Sequence, residues 1–200
     1  MTTDAVTLGA DLSHSQRERR TRILDAAAEL ASHGGYDGVQ MRDVAERAEV
    51  ALGTLYRYFP SKVHLLVSVM HEQTRRLIER LERRPPEGAT AADRVLDVLS
   101  RATRALQRDQ QVADAMIRAL MVADVAAAPE VNAVNTIMTQ TITAAIRANG
   151  DAPRTPDEDA AIARVIEQVW WATILAWLSG RSTTDQMHDD LAVAARLLLR

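Results

Sequence analysis

Apolar residues recur at three- and four-residue spacings along most of the chain, a pattern typical of amphipathic helices. The first helix is predicted from about Ser15 to Ser32, and His33-Gly34-Gly35 is predicted to end it because glycine accepts the left-handed conformation after a helix. Two short helices follow, one at about 40–48 and one that ends near Tyr58. A long helix is then predicted from the N-cap Ser61 to about Arg84.

The clearest break in the pattern is Pro85-Pro86-Glu87-Gly88. Beyond it, the periodicity predicts five more helices, at about 90–108, 111–127, 130–148, 157–179 and 183–199. The alternation typical of strands is absent from the sequence, so we predict an all-α fold. Residues 1–14 have no periodicity and are predicted to form a disordered tail.

Composition narrows the classes of function. The chain has no cysteine, which excludes disulfides, thiolate catalysis and cysteine metal sites. Its longest apolar run, Val169 to Leu178, is too short to span a membrane. The first sixteen residues lack an apolar secretory core. We therefore expect a soluble cytoplasmic protein without a membrane partner.

Catalytic and metal-binding patterns are also missing. The five histidines show no metal-ligand spacing with carboxylates, and we find no Gly-rich phosphate or dinucleotide motif. We therefore expect no enzyme activity, no metal and no cofactor. The net charge is −3, and the local cluster Arg17, Arg19, Arg20 and Arg22 fits either a solvated helix face or a phosphate contact.

The two short helices carry the clearest functional signal. Separated by three residues and preceded by a longer helix, they have helix-turn-helix spacing. Apolar residues supply a small core between them: Met41, Val44, Ala45, Val50 and Leu55. The remaining sides of the second helix present small, hydroxyl and cationic groups, which suit contact with phosphates and base edges.

Residues 39–66, VQMRDVAERAEVALGTLYRYFPSKVHLL, closely resemble the signature of TetR-family transcriptional repressors. The resemblance implies a three-helix DNA-binding head and a C-terminal helical domain for ligand binding and dimerisation. It also implies contacts with double-stranded operator DNA by Gln40, Arg42, Gly53, Thr54, Tyr56, Tyr58 and Lys62. The chain departs from the family pattern in the turn, where Glu49 replaces glycine, and at the helix starts, where Gln40 and Ala51 replace Ser or Thr.

On this basis we assign residues 1–14 to the tail, 15–62 to the DNA-binding domain and 63–200 to the ligand-binding and dimerisation domain. Large apolar residues predict a ligand pocket; they are Met116, Leu120, Met121, Met138, Ile142, Trp170, Ile174 and Trp177. The last two helices are predicted to form a homodimer interface through Val165, Trp171, Ala194, Leu197 and Leu198.

Further runs, including Leu175-Ala176-Trp177-Leu178 and Leu191-Ala192-Val193-Ala194, resemble a branch of the family, the sterol-catabolism repressors of actinobacteria. That resemblance implies release from DNA by a steroid acyl-CoA thioester. Scattered arginines are the candidates for a CoA contact: Arg101, Arg104, Arg108, Arg118 and Arg147. Three alternatives remain: the same fold responding to a fatty acyl-CoA, the same fold responding to another hydrophobic molecule, and a purely structural helical dimer.

Overall fold

The computed structural model describes residues 13–148, 150 and 154–200, and over these residues the chain is helical, without strands. The helices are α1 His14–Gly38, α2 Met41–Arg47, α3 Leu52–Tyr58, α4 Lys62–Arg83, α5 Ala91–Gln107, α6 Gln110–Met121, a 3₁₀ turn Val125–Ala127, α7 Ala128–Arg147, α8 Pro156–Leu178 and α9 Thr184–Leu198. The all-α prediction is confirmed. The predicted tail at 1–14 lies almost entirely outside the described residues.

The helices group into two compact packing units. The first holds the described residues up to Glu72 together with Asp109–Ala133, and in it α6 packs on α1. The second holds Gln73–Arg108 and Val134–Arg200, and in it α9 packs on α8 and α5. Units of packing need not coincide with functional domains, so the assignment of 15–62 and 63–200 stays a prediction.

Helix α1 continues to Gly38, past the glycine pair that was predicted to end it, and only its geometry at Gly35 is non-helical. Ser13 and Gln16 form a reciprocal capping box at its start. Gly35 adopts φ 58° and ψ −152°, which breaks the helical run, but the chain returns to helical geometry until Gly38. Because a side chain in this backbone conformation is strained, glycine suits this position.

The predicted helix 111–127 is wrong at its C-terminal end. Helix α6 stops at Met121, and a separate 3₁₀ turn begins after Asp124, whose carboxylate accepts the Ala126 amide at 3.0 Å. The His64 Nε2 atom lies 3.1 Å from the Ala126 carbonyl oxygen and holds the other side of the turn. Aspartate favours this local bond over continuing a helix, which explains the break.

The second unit buries three charged side chains, each with polar partners. Arg94 donates to the carbonyls of Ala145 at 2.9 Å and Ile146 at 3.1 Å and so caps the C-terminal end of α7. Buried Asp159 accepts from two arginines, Arg147 at 2.6 Å and Arg154 at 3.0 Å.

Glu167 is the third buried charge, and only one of its oxygens is satisfied. Thr139 donates to its Oε2 at 2.7 Å, whereas Oε1 has no partner among the described residues. Burial raises the pKa of the Glu167 carboxyl above its ordinary value, although the hydrogen bond from Thr139 opposes this shift.

Helix α8 is long and apolar enough, by length and composition alone, to cross a membrane. However, it packs on α9 and buries Asp159 and Glu167 with polar partners. A helix that packs within a folded protein passes the same test of length and composition.

Replacing Glu49 by glycine is expected to stabilise the protein. Glu49 is the non-glycine residue with a positive φ, 53°, among the described residues, and its side chain is exposed. Relief of the left-handed strain outweighs the added freedom of the unfolded chain, so Glu49→Gly should gain about 0.5–1 kcal/mol in urea unfolding. The control Glu46→Gly, at an exposed helical site, should lose about 1 kcal/mol. A loss of stability in Glu49→Gly would contradict the strain argument.

Candidate functional site

The first unit holds its two short helices on a continuous apolar core. Val44 and Ala45 of α2 and Leu55 of α3 are buried, as are Ile23 and Ala27 of α1. The turn between α2 and α3 is closed by a bond from the Val50 amide to the Ala45 carbonyl at 2.9 Å. This packing fixes which side of α3 faces inward and leaves its other sides at the surface.

The outward surface of α3 is made of small, aromatic and cationic residues. Gly53 and Arg57 are exposed, Thr54 is half-buried, and 46% of Tyr56 is accessible. A Cβ atom added at Gly53 would meet nothing within 4 Å. The protein itself therefore does not require glycine at this position, but close approach of an external partner would.

The arginine side chains beside this surface differ in whether they are already paired within the protein or remain available to an external anion. Arg42 and Arg57 are exposed and have no hydrogen-bond or ionic partner within the part of the chain that the structure describes. Arg47, by contrast, donates twice to Glu29 of α1, and this hydrogen-bonded pairing lowers the pKa of the Glu29 carboxyl. Arg42 and Arg57 can therefore donate to phosphates or base edges, whereas Arg47 joins α2 to α1.

Lys62 is positioned by a residue that sequence analysis missed. Its Nζ atom donates to the Tyr36 carbonyl at 3.0 Å and lies 4.1 Å from the centre of the Tyr36 ring. An ammonium group has three donors, so two remain for a phosphate oxygen. Tyr36 is separated from Lys62 by 26 residues, and no local sequence pattern signals their contact.

The departures from the family pattern have visible consequences. Neither α2 nor α3 has a side-chain hydrogen bond at its N-cap, Gln40 or Ala51. The Gln40 amide instead donates to the Asp37 carbonyl at 2.9 Å. Tyr58 is half-buried, with its ring centre 6.3 Å from that of Phe59. The replacement of Ser or Thr by Gln40 and Ala51 therefore leaves both helix starts without a side-chain cap.

The residues predicted to line a ligand pocket are divided between the two units. Met116, Leu120 and Met121 belong to the first unit, where Met116 is buried and Met121 is exposed. The second unit contains the remaining five, Met138, Ile142, Trp170, Ile174 and Trp177, all of which are buried except half-buried Trp177. Their role in ligand binding stays a prediction.

Two cavities lie within the second unit. One, of about 430 Å³, opens between α4, α5 and α7 and has mainly apolar walls, among them Ile78, Leu81, Val98 and Ile137. The other, of about 400 Å³, lies between α5 and α9 and has more mixed walls. None of the predicted pocket residues lines either cavity. Sequence periodicity identified the apolar faces but could not separate packed core from open space.

Three of the five candidate arginines are already ion-paired. Arg101 pairs with Asp97, Arg118 with Asp114, and Arg147 with Asp159. Arg104 and Arg108 are exposed and have no carboxylate partner among the described residues. Of the five, these two are therefore the most available for an anionic ligand.

The predicted dimer residues include exposed apolar side chains on α8 and α9. Val165 is 45% accessible and Leu197 is 54% accessible, whereas Trp171, Ala194 and Leu198 are half-buried. Val193, one turn before Leu197, is also exposed and was not predicted. Its four-residue spacing from Leu197 is the signal that could have identified it.

Comparisons with known proteins agree on the family. Residues 23–69 match the family described as bacterial regulatory proteins, tetR family, and residues 88–198 match the tetracyclin repressor-like C-terminal domain. The chain is 48% identical to the HTH-type transcriptional repressor KstR of Rhodococcus jostii (strain RHA1), over 99% of this chain and 92% of that protein.

Solved structures show the same fold. The crystal structure of a TetR transcriptional regulator from Rhodococcus sp. RHA1 aligns with a TM-score of 0.84 and 38% identity, covering 93% of this chain and 98% of that one. FadR of Thermus thermophilus, solved in complex with lauroyl-CoA, aligns with a TM-score of 0.72 and 21% identity, over 90% and 93% of the two chains. The latter likeness shows the fold alone.

Gly53→Ala is expected to separate folding from DNA binding. The added methyl group meets no protein atom within 4 Å, and alanine is the better helix former, so stability should be unchanged or rise by up to about 1 kcal/mol. Affinity for cognate DNA should fall about tenfold or more, or at least about 1.4 kcal/mol, because the methyl group blocks close approach. Fluorescence anisotropy and urea unfolding measure the two effects.

The matched control is Gly34→Ala, because Gly34 is also exposed and open but lies on α1, outside the predicted contact set. It should bind DNA as the parent does. If Gly53→Ala and the parent bound DNA with equal affinity, α3 would not approach the DNA closely at this position.

Lys62→Ala is expected to weaken binding to all DNA sequences by a similar factor. Loss of one phosphate contact should also reduce the slope of log affinity against log salt concentration by about one. Lys62→Arg keeps the charge and should retain most of the slope. A lower affinity with an unchanged slope would mean that Lys62 acts only by holding Tyr36.

Proposed function

The chain belongs to the TetR family of bacterial regulatory proteins and is not an enzyme; from this premise we propose that it represses sterol-catabolism genes and leaves its operator when a steroid acyl-CoA thioester binds. The observation that carries the DNA-binding part is the free surface of α3, where exposed Gly53 and Tyr56 lie on a helix held in place by buried Leu55. Such a protein acts in the cytoplasm.

The operator in this proposal is a pseudo-palindrome bound by a homodimer. Two copies related by a two-fold axis present two α3 helices, so the half-sites should lie about 34–36 Å apart, one turn of DNA. Exposed Val165 and Leu197 support the dimer, because apolar side chains in water favour association. The interface would bring α8 and α9 against their symmetry mates.

Sterol catabolism is proposed from the relationship to KstR. The 48% identity extends over 99% of this chain, and so includes the second unit as well as the DNA-binding head. The apolar cavity between α4, α5 and α7, about 430 Å³, supports an effector with a large apolar body. Exposed Arg108, which has no carboxylate partner among the described residues and does not line the α5–α9 cavity, is the proposed contact for the CoA phosphates.

Helix α4 is the proposed lever between effector and DNA. It is continuous from Lys62 to Arg83, about 33 Å at 1.5 Å per residue. Lys62 lies in its first turn, and Ile78 and Leu81 line the apolar cavity near its other end. An effector that displaces the cavity end of α4 would change the position of Lys62 and so weaken DNA binding.

A second candidate effector is a straight-chain fatty acyl-CoA. The observation that favours it is the fold shared with FadR of Thermus thermophilus, which was solved with lauroyl-CoA. The same apolar cavity would receive the acyl chain. The two effectors differ in the shape of the apolar body, which a ligand series resolves.

The dimer proposal predicts that the double substitution Val165→Asp and Leu197→Asp produces a monomer at micromolar concentration. Two carboxylates per chain would be buried without partners in the interface. Analytical ultracentrifugation measures the mass, and circular dichroism checks that the helices remain. Val125→Asp, at a position 89% accessible in the first unit, is the control and should leave the dimer intact. A double variant that remains dimeric would refute this interface.

The effector proposal predicts that steroid acyl-CoA thioesters reduce operator affinity more than free steroid acids or straight-chain acyl-CoAs do. Gel-shift titrations on the region upstream of the gene measure the reduction. Ala144→Phe, which fills the apolar cavity from an exposed wall position, should abolish the response without changing basal DNA affinity.

The control Thr136→Phe, exposed on the same helix but outside both cavities, should respond as the parent does. Release by straight-chain acyl-CoAs alone would replace the sterol effector with a fatty acyl effector. Failure to bind the upstream DNA at all would refute the repressor itself.

A further inference from the structure

The cavity between α5 and α9 is separate from the apolar cavity that the proposed effector uses. On α5 it is lined by Leu96, Ser100, Thr103 and Gln107, which recur at three- and four-residue spacings and share one helix face. Val98, which lines the other cavity, lies about 160° around the helix from both Leu96 and Ser100. The two cavities therefore lie on opposite sides of α5.

A buried hydroxyl group with an unused proton lies in the wall of this cavity. Only 6% of Thr103 is accessible, and its Oγ1 accepts the Trp170 indole N–H at 2.9 Å. The hydroxyl of a helical threonine often donates a hydrogen bond to the carbonyl four residues earlier, as Thr141 and Thr143 do here at 2.8 Å. Thr103 makes no such bond among the described residues, so its proton remains available to an acceptor in the cavity.

The charges around the cavity favour a neutral occupant. Arg104 contributes one positive charge, and Asp185 and Asp189 contribute two negative charges. His188 adds a positive charge only when protonated. The net charge is therefore between −1 and zero, which disfavours an anion, while Leu96, Met187 and Leu191 supply apolar wall.

We propose that the α5–α9 cavity is a second small-molecule site, which takes a neutral molecule with a compact apolar body and a carbonyl oxygen. The oxygen accepts a hydrogen bond from the Thr103 hydroxyl, and the apolar body packs on Leu96, Met187 and Leu191. At about 400 Å³, the cavity lies within the range of about 300–1,000 Å³ typical of small-molecule sites. This site does not depend on the identity of the effector proposed above.

Three adamantane probes with one skeleton and different head groups test the class of ligand. They are 1-acetyladamantane, a neutral ketone; adamantane-1-carboxylate, an anion; and 1-adamantylamine, a cation. The readout is the NMR signal of the Trp170 indole N–H in the full-length protein, assigned with Trp170→Phe, because this group donates to Thr103. The ketone should shift the signal saturably, and the carboxylate should bind about tenfold or more weakly.

Variants on either side of α5 locate the site. Thr103→Val should weaken ketone binding about five- to tenfold, the effect of one hydrogen bond, whereas Thr103→Ser should stay within about twofold of the parent. Ser100→Phe, which fills this cavity from a half-buried wall position, should abolish the shift even if Thr103→Val fails to fold. Ala144→Phe in the other cavity should leave the ketone affinity unchanged.

Each contrary result overturns the proposal. The absence of a saturable shift up to the solubility of the ketone would show that the cavity does not hold such a molecule. If Thr103→Val bound the ketone as tightly as the parent does, Thr103 would not donate a hydrogen bond to the ligand. Tighter binding of the carboxylate than of the ketone would refute a neutral ligand. Loss of binding in Ala144→Phe, with Ser100→Phe unaffected, would place the probe on the other side of α5.

Discussion

The proposed DNA-binding surface depends on the burial of one face of α3, because a helix of seven residues does not form by itself in water. Leu55 is fully buried, and the α2 residues Val44 and Ala45 are buried with it. Both short helices lack side-chain caps, and this packing determines that Gly53 and Tyr56 lie on the outward sides of α3. The specificity of the surface therefore rests on apolar packing rather than on local helix propensity.

The DNA-binding head, residues 15–62, could be predicted from the sequence because the residues that identify its helices lie close together along the chain. The spacing of Val44, Ala45 and Leu55 indicates two helices that share a core, and the resemblance to the TetR pattern places glycine in the turn where this chain has Glu49, whose φ is positive. The contact between Tyr36 and Lys62 could not be predicted, because it joins positions 26 residues apart and follows no periodicity. The same holds for the pairing of Arg47 with Glu29.

The second unit was less predictable because the same residues that suggest a pocket also suggest a core. Met138, Ile142, Trp170 and Ile174 lie on apolar helix faces, and in the structure they are buried without lining either cavity. The cavities are instead lined by other apolar residues, such as Ile78 and Leu96, together with small or polar ones, such as Ala144 and Ser100. Small side chains leave space between helices, so a search for large apolar residues finds the packed regions first.

The two cavities differ in the helices through which an occupant could act. A ligand changes DNA affinity only as far as it binds the DNA-bound and free conformations differently. The α4–α5–α7 cavity is lined by α4, the helix that also carries Lys62, so an occupant has a direct covalent route to a predicted phosphate contact. The α5–α9 cavity is lined by no helix with a predicted DNA contact. An occupant there contacts α9, which belongs to the proposed dimer interface, and α5, which both cavities share. A ligand that left the geometry of these helices unchanged would bind without releasing DNA.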